Sequence, residues 1–178
     1  MELKGSKTEK NLEAAFAGES MARNKYTFYG AKAREDGYVQ IAELFEETAN
    51  NERAHAELWY KLLKSGIGAT SDNLNAAAQG ENYEWSDMYP SFAKEAREEG
   101  FDFIAELFDK VAKIEEEHEQ RFKKLLQNVE GDLVFTKDQD VIWQCINCGH
   151  ICIGKKAPEV CPVCAKPKSY FREKPENY

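Results

Sequence analysis

Two short stretches carry residues suited to holding a metal: Glu52-Arg53-Ala54-His55 and Glu115-Glu116-Glu117-His118. In each, a glutamate stands three residues before a histidine inside a long helical pattern. Positions i and i+3 share one face of a helix, so carboxylate and imidazole point the same way. Two such helices facing each other can surround a pair of metal ions. The chain has only 3 histidines, and two of them occupy these matched positions.

A single Glu-x-x-His is a weak signal, but this one belongs to an internal repeat. Ala33-Arg34-Glu35-Asp36-Gly37-Tyr38 returns 63 positions later as Ala96-Arg97-Glu98-Glu99-Gly100-Phe101. At the same offset Ile41-Ala42-Glu43-Leu44-Phe45 returns unchanged as Ile104-Ala105-Glu106-Leu107-Phe108, and Tyr26 maps to Tyr89. Gly18-Glu19 matches Gly80-Glu81 at an offset of 62, so the second copy carries one extra residue between Glu81 and Tyr89. Such self-similarity marks a duplicated helical hairpin.

The repeat also decides how three further carboxylates are read. Glu19 falls on the apolar stripe of Leu12, Ala15 and Phe16, where a carboxylate without a cation is costly to bury. Alone it could sit at the stripe's edge and reach solvent; its echo at Glu81 favours a ligand. Glu81 and Glu84 form a second i, i+3 pair. The set is then Glu19, Glu52, His55, Glu81, Glu84, Glu115 and His118. Five carboxylates facing one interior repel each other and lose hydration, and two divalent cations would neutralise most of that charge. One glutamate from each of two helices with Glu-x-x-His from each of the others is the di-iron carboxylate pattern. Solvated glutamates around two core histidines would explain one such residue, but not the joint repeat.

The elements that must position these residues follow from caps and breakers. Ser6-Lys7-Thr8-Glu9 has the form of a capping box and starts the first helix, which runs to Asp36-Gly37. The second helix spans about Tyr38 to Lys64 and ends at Ser65-Gly66. Ile67 to Ser71 is a connection, with Ser71 or Asp72 expected to cap the third helix. That helix contains Pro90, which removes a backbone hydrogen bond. Together with the extra residue, Pro90 predicts a local bulge or kink near Glu81, of the kind helices carry at functional sites; a tolerated proline bend without a role is the alternative. The third helix ends near Glu99-Gly100, and the fourth spans Phe101 to Asn128.

Glu130-Gly131-Asp132 breaks the helical pattern. Residues 1–130 are expected to form a four-helix bundle and residues 131–178 a separate small domain. In that domain Leu133-Val134-Phe135 and Val141-Ile142-Trp143 read as short strands around Thr136 to Asp140. So short a segment needs a staple. Cys145-Ile146-Asn147-Cys148-Gly149 and Cys161-Pro162-Val163-Cys164-Ala165 supply it: four thiolates from two Cys-x-x-Cys turns form a tetrahedral site for iron or zinc. Cys152 lies outside the pattern as a packed or surface thiol, and His150 reads as a loop residue. Spacing does not separate iron from zinc, but the two cysteine turns with Trp143, Tyr170 and Phe171 resemble rubredoxin.

The net charge of −8 and a pI near 5.1 argue against a nucleic-acid surface. No apolar run has transmembrane length, and the N-terminus lacks a signal-peptide core, so a cytoplasmic protein with no membrane partner is expected.

From Gly5-Ser6-Lys7-Thr8-Glu9-Lys10-Asn11 to the last cysteine pair, the chain resembles the rubrerythrin family. The most specific features are Gly18-Glu19-Ser20, Glu52-x-x-His55, Gly80-Glu81-x-x-Glu84, Glu115-x-x-His118 and the four cysteines. The resemblance implies an all-α, ferritin-like four-helix bundle with two non-haem irons, followed by a small, mostly irregular or β rubredoxin-like domain with one iron on Cys145, Cys148, Cys161 and Cys164. It implies that Glu52 and Glu115 bridge the irons, that Glu19 binds one, and that Glu81 and His118 bind the other. Glu84 and His55 would exchange at the first iron on reduction, while Tyr26 and Tyr89 hydrogen-bond the carboxylates. The implied activity is reduction of hydrogen peroxide to water in oxidative-stress defence. Electrons would come from a nicotinamide-dependent reductase or a small iron–sulfur protein, and the assembly would be a homodimer or higher oligomer. Two other readings stand beside it: a ferroxidase or iron-handling protein, and a zinc-ribbon binding module on a structural bundle.

Overall fold

In the computed structural model, which describes residues 2–176, Ser6 opens the first helix as its spacing predicts. Its Oγ accepts the Glu9 N–H at 3.0 Å, and the Glu9 carboxylate reaches back to the Gly5 N–H at 2.6 Å. The first bond satisfies a donor that the helix start leaves unpaired, and the second ties down the residue before the cap. Helix α1 (Lys7–Glu35) continues for 29 residues before turning into α2 (Val39–Lys64). At that turn Gly37 takes φ +86°, a conformation that costs glycine nothing, and the Tyr38 N–H closes onto the Ala33 carbonyl at 2.8 Å.

The chain divides into two compact units between Gly68 and Ala69. The helical part of the first is the α1–α2 hairpin. Its contact face is lined with small buried residues, Gly30, Ala33, Ala42, Ala49 and Ala56, so the two backbones come close. A Cβ added at Gly30 would lie 3.3 Å from the Ala42 carbonyl oxygen. Toward the turn, the Tyr26 ring packs at a tilt on Tyr29 and Phe45, which meet each other edge to face, and Arg34 Nη2 meets Glu46 Oε1 at 2.7 Å.

The second unit repeats this construction. Helix α3 (Thr70–Tyr83), one π-helical turn (Glu84–Met88) and α4 (Tyr89–Glu98) follow one another and pack against α5 (Asp102–Glu130). Ala93, Ala96 and Ala105 are buried where Gly30, Ala33 and Ala42 stand in the first copy. Tyr89, Phe92 and Phe108 form the ring cluster, and Arg97 pairs with Asp109. Gly100 again has φ +86°, with the Phe101 N–H on the Ala96 carbonyl at 2.7 Å. The predicted bulge is the π turn: it absorbs the residue by which the second copy is longer. The cap of α3 differs from expectation. Ala69 is the N-cap, and Asp72 acts from within the first turn, its Oδ2 accepting the Ala69 N–H at 3.1 Å, while Ser71 lies within the helix.

The same unit ends in a three-stranded antiparallel sheet ordered β2-β1-β3, with β1 (Thr136–Cys145), β2 (Ile151–Lys156) and β3 (Phe171–Glu173). Two expectations are corrected here. Leu133-Val134-Phe135 forms no strand, and Thr136 to Asp140, read as a turn, belongs to β1. The Leu133 N–H instead closes α5 on the Asn128 carbonyl at 2.7 Å, and Phe135 offers its carbonyl to the Ala157 N–H at 2.9 Å. Pairing of Thr136 with Lys156, across a register shift before Val141, draws a polar segment into the strand; partner hydrogen bonds override propensity there.

The fully buried Ala42 provides a test of the close helix contact. Ala42→Leu is expected to lower unfolding free energy by about 1–3 kcal/mol through overpacking. Substituting the exposed Ile153 by serine should change it by less than about 0.5 kcal/mol, both read from urea midpoints.

Candidate metal centres

Each helical hairpin gathers one carboxylate from its first helix and a carboxylate–imidazole pair from its second. In the first unit, α1 contributes Glu19 and α2 contributes Glu52 and His55, and one ligand atom from each lies within 4.8 Å of the others. His55 Nδ1 is 2.9 Å from Glu52 Oε2 and 3.8 Å from Glu19 Oε1. In the second, α3 contributes Glu81 and α5 contributes Glu115 and His118, again within 4.8 Å. His118 Nδ1 is 2.6 Å from Glu115 Oε2 and 3.9 Å from Glu81 Oε2. The repeat seen in the letters is thus a repeat in chemistry, two half-sites of the same composition.

Protonation in each half-site has the character of a cation-binding cluster. Glu19 is raised above the ordinary carboxylate value, first by its hydrogen bond with Glu52 and then by desolvation, while Glu52 is lowered by the bonds it accepts from Glu19 and His55. Opposite shifts on two neighbouring carboxylates are the mark of coupled groups held close together. Glu81 is raised by burial and then by the charge of Glu115. Carboxylate oxygens with imidazole nitrogen suit iron, zinc or manganese, so the donor set fits a pair of non-haem irons.

Glu84 begins the π turn and lies outside both close groups, yet its charge acts on Glu81 and on Tyr89. The Tyr89 phenol is pushed up, by burial first and then by Glu84, Glu115 and Glu81. Tyr26 packs on Tyr29 and Phe45 at the equivalent place. One residue escaped the sequence reading. Glu119 is buried, accepting the Trp85 indole N–H at 2.8 Å and pairing with Lys123 at 2.5 Å. It fastens the π turn, and with it Glu84, to α5. No periodic signal distinguishes it within the acidic run Glu115 to Glu119.

The four cysteines come together from two matching turns. The Gly149 N–H donates to the Cys145 carbonyl and the Ala165 N–H to the Cys161 carbonyl, each at 2.9 Å, and Gly149 and Ala165 both take positive φ. Sulfur separations are 3.7 Å for Cys145–Cys164 and 3.6 Å for Cys148–Cys161. A tetrahedron with metal–sulfur bonds of about 2.3 Å has edges of about 3.8 Å, so the sulfurs already stand at metal-binding spacing rather than disulfide spacing. Cys164 is held down to about 6, chiefly by the Lys166 N–H; Cys148 receives the His150 N–H but is pushed up to about 12 by desolvation and its thiol neighbours. One sulfur is ready as thiolate while another keeps the proton that a metal would displace. Trp143, Cys145, Ala157, Cys161 and Phe171 form the buried core, and the Trp143 indole donates to the Gly154 carbonyl at 2.9 Å. The staple is therefore also the centre of the fold. Cys152 packs against this core as a free thiol, and His150 sits in the loop with its carbonyl accepting the Cys145 N–H.

Three substitutions test these assignments. Cys161→Ser should abolish the visible absorption of thiolate-bound iron and remove one metal per chain in elemental analysis. Glu115→Ala should lower bound iron below the two of the complete di-iron site. Glu119→Ala leaves the Trp85 donor without its acceptor and should cost about 1–3 kcal/mol in chemical unfolding.

Comparison with known proteins agrees with both centres. Residues 10–126 match the rubrerythrin family model, and residues 143–172 match the model of the rubrerythrin rubredoxin-like domain. The chain is 50% identical to Rubrerythrin-1 of Clostridium acetobutylicum over 192 aligned positions, covering 99% of this chain and 98% of that protein. It is 49% identical to the rubrerythrin of Porphyromonas gingivalis, over 99% of this chain and 94% of that one. With the rubrerythrin of Nitratidesulfovibrio vulgaris the identity is 48%, over 95% of each. Two carboxylate–imidazole half-sites and a four-thiolate site, found within matches of this extent, place the chain in the rubrerythrin family, with a ferritin-like di-iron domain and a rubredoxin-type iron.

Proposed function

We propose that this protein is a non-haem di-iron peroxidase that reduces hydrogen peroxide to water. In this reading residues 1–130 form the ferritin-like di-iron bundle and residues 131–178 the rubredoxin-like domain that relays electrons to it. The observation that carries it is the presence in one chain of two equivalent Glu/Glu/His groups and a preformed four-thiolate site. A pair of irons, when bound, supplies two electrons together, matching the two-electron cleavage of an O–O bond. A four-thiolate iron passes single electrons, which is the reason to attach one to such a site.

The residues of the chain divide the remaining work. Glu52 and Glu115 are the least exposed carboxylates of their groups and each binds its own histidine, which supports their assignment as bridges. Glu19 is assigned to one iron, Glu81 and His118 to the other. The two halves are not identical: Glu84 has no acidic counterpart in the first copy, where Met21 and Ala22 stand. His55 is 53% exposed against 36% for His118, so it is the freer imidazole. These differences support Glu84 and His55 as alternative ligands of the first iron, where the carboxylate would suit the more oxidised ion and the neutral imidazole the reduced one. The Tyr89 phenol, kept protonated by its surroundings, is suited to donate to a neighbouring carboxylate, and Tyr26 is given the same part. The electrons come from outside, from a nicotinamide-dependent reductase or a small iron–sulfur protein. No described helix is long and apolar enough to cross a membrane, and the site of action is assigned to the cytoplasm.

The deciding experiment is anaerobic stopped-flow spectroscopy of fully reduced, metal-analysed protein mixed with peroxide. Rapid reoxidation of both iron centres, with one peroxide consumed per two electrons, is expected. Slow oxidation, or zinc at the four cysteines, would transfer the assignment to iron handling or to a structural module. His55→Ala should slow turnover by roughly tenfold or more, about 1.4 kcal/mol in the barrier, while leaving resting iron content near that of the parent.

A further inference from the structure

Beside its metal ligands the second hairpin carries a polar network centred on Glu119. That carboxylate is buried, accepts the Trp85 indole N–H at 2.8 Å and meets the Lys123 ammonium at 2.5 Å. Its carboxyl is held below the ordinary value chiefly by Lys123, with Trp85 and Asn82 as further hydrogen-bonding partners working against the cost of burial. A buried anion paired in this way is a fixed point on α5, because moving any partner leaves a charge unmatched. The members of the network also stand next to the candidate ligands in the chain. Asn82 follows Glu81, Trp85 follows Glu84 and Glu119 follows His118. Consecutive helical residues point about 100° apart, so the network grips its helices from the side of the ligand face.

What such a grip holds is the π turn. The Tyr89 N–H bonds to the Glu84 carbonyl, five residues back, and Ser86 Oγ donates to the Asn82 carbonyl at 2.7 Å. Pro90 has no N–H to offer the Ser86 carbonyl and its ring crowds it, which favours a widened turn without choosing where the extra residue is taken up. The Trp85–Glu119 bond makes that choice, since it ties a residue inside the turn to the fixed point on α5. The first copy has neither feature. Its helix α1 runs unbroken from Lys7 to Glu35. Ala56 stands in place of Glu119, Tyr60 in place of Lys123 and Ser20 in place of Asn82. The Ser20 hydroxyl is bonded to the Phe16 carbonyl at 2.7 Å, and neither Ala22 nor Arg23 offers an indole where Trp85 would fall. Widened turn, additional carboxylate and network therefore occur together in one copy and are together missing from the other.

We propose that Glu119 is a positioning residue for the di-iron site: through Trp85 it fixes the register of the π turn and so sets the place from which Glu84 reaches the metal. The inference rests on the di-iron reading above, with Glu84 as a ligand. Glu119 itself touches no metal in this account. An anionic carboxylate favours the more oxidised ion, so a Glu84 displaced from its register leaves the iron pair easier to reduce.

Anaerobic redox titration of the iron-loaded, full-length protein tests this without reference to turnover. Glu84→Ala should raise the midpoint potential of the iron pair, and Glu119→Ala and Trp85→Phe should each raise it in the same direction. Adding either to Glu84→Ala should give no further rise, because both act through that residue. Glu119→Gln keeps an acceptor for the indole and should return the potential of the parent. The four-thiolate iron should hold its own potential in every variant. Metal-free protein supplies a second measurement that is independent of loading. There, amide hydrogen exchange across residues 84–89 should quicken by about tenfold or more in Glu119→Ala and Trp85→Phe, and not in Glu119→Gln. If Glu84→Ala moves the potential while Glu119→Ala and Trp85→Phe do not, the proposal is overturned and the ligand assignment stands. A further rise on top of Glu84→Ala also overturns it, since Glu119 would then act by another route. If Glu84→Ala itself moves nothing, the ligand assignment falls and the positioning role falls with it.

Discussion

Carboxylates held close together are the constraint on which the helical part of this protein depends. In the first hairpin the hydrogen bond between Glu19 and Glu52 raises one carboxyl and lowers its neighbour. In the second, Glu81 is raised by burial and by Glu115. Such groups are costly in a fold that never meets a metal, since repulsion and desolvation act in the same direction. They become favourable once divalent ions bind, and metal uptake then releases protons. The small domain obeys the same logic through sulfur. Its four cysteines stand at a metal's spacing, Cys145 and Cys161 within the buried cluster of that sheet, and Cys164 is already biased toward thiolate.

The helices are built to hold those groups, and they do so twice by the same means. Alanine and glycine faces bring two backbones close, a tyrosine–phenylalanine cluster fills the end nearest the turn, and an arginine pairs across it with an acid. The closing glycine takes φ +86° in both copies. The backbone hydrogen bonds at the two turns agree to within about 0.1 Å, as expected when one local solution serves both. Large apolar side chains are spent elsewhere, on the ligand-bearing faces. Each hairpin therefore has a well-packed inner contact and an outer face on which large apolar side chains stand exposed beside the ligands.

The departure from symmetry is concentrated in one helical turn. An added residue widens the helix into a π turn at Glu84–Met88, and the buried Glu119 ties that turn to α5 through Trp85. The result is an additional carboxylate near Glu81 that the first hairpin lacks.

Much of this was legible in the letters because it depends on spacing. The repeat, the i, i+3 pairing of Glu52 with His55 and of Glu115 with His118, the capping box at Ser6 and the two Cys-x-x-Cys turns are properties of neighbours along the chain, and local geometry translates them directly. The extra residue before Tyr89 likewise announced the π turn, since a helix has few ways to absorb one. What sequence could not supply were relations set by distant partners. Thr136 to Asp140 became strand because Lys156 pairs with Thr136, whatever the segment's own preference for a turn. Glu119 became a buried anchor because Trp85 happens to reach it from another helix. The sequence by itself determined which residues can bind metal and on which faces they lie. Only tertiary structure decided which strand pairs with which and which acid is buried, because these depend on distances in space rather than positions in the chain.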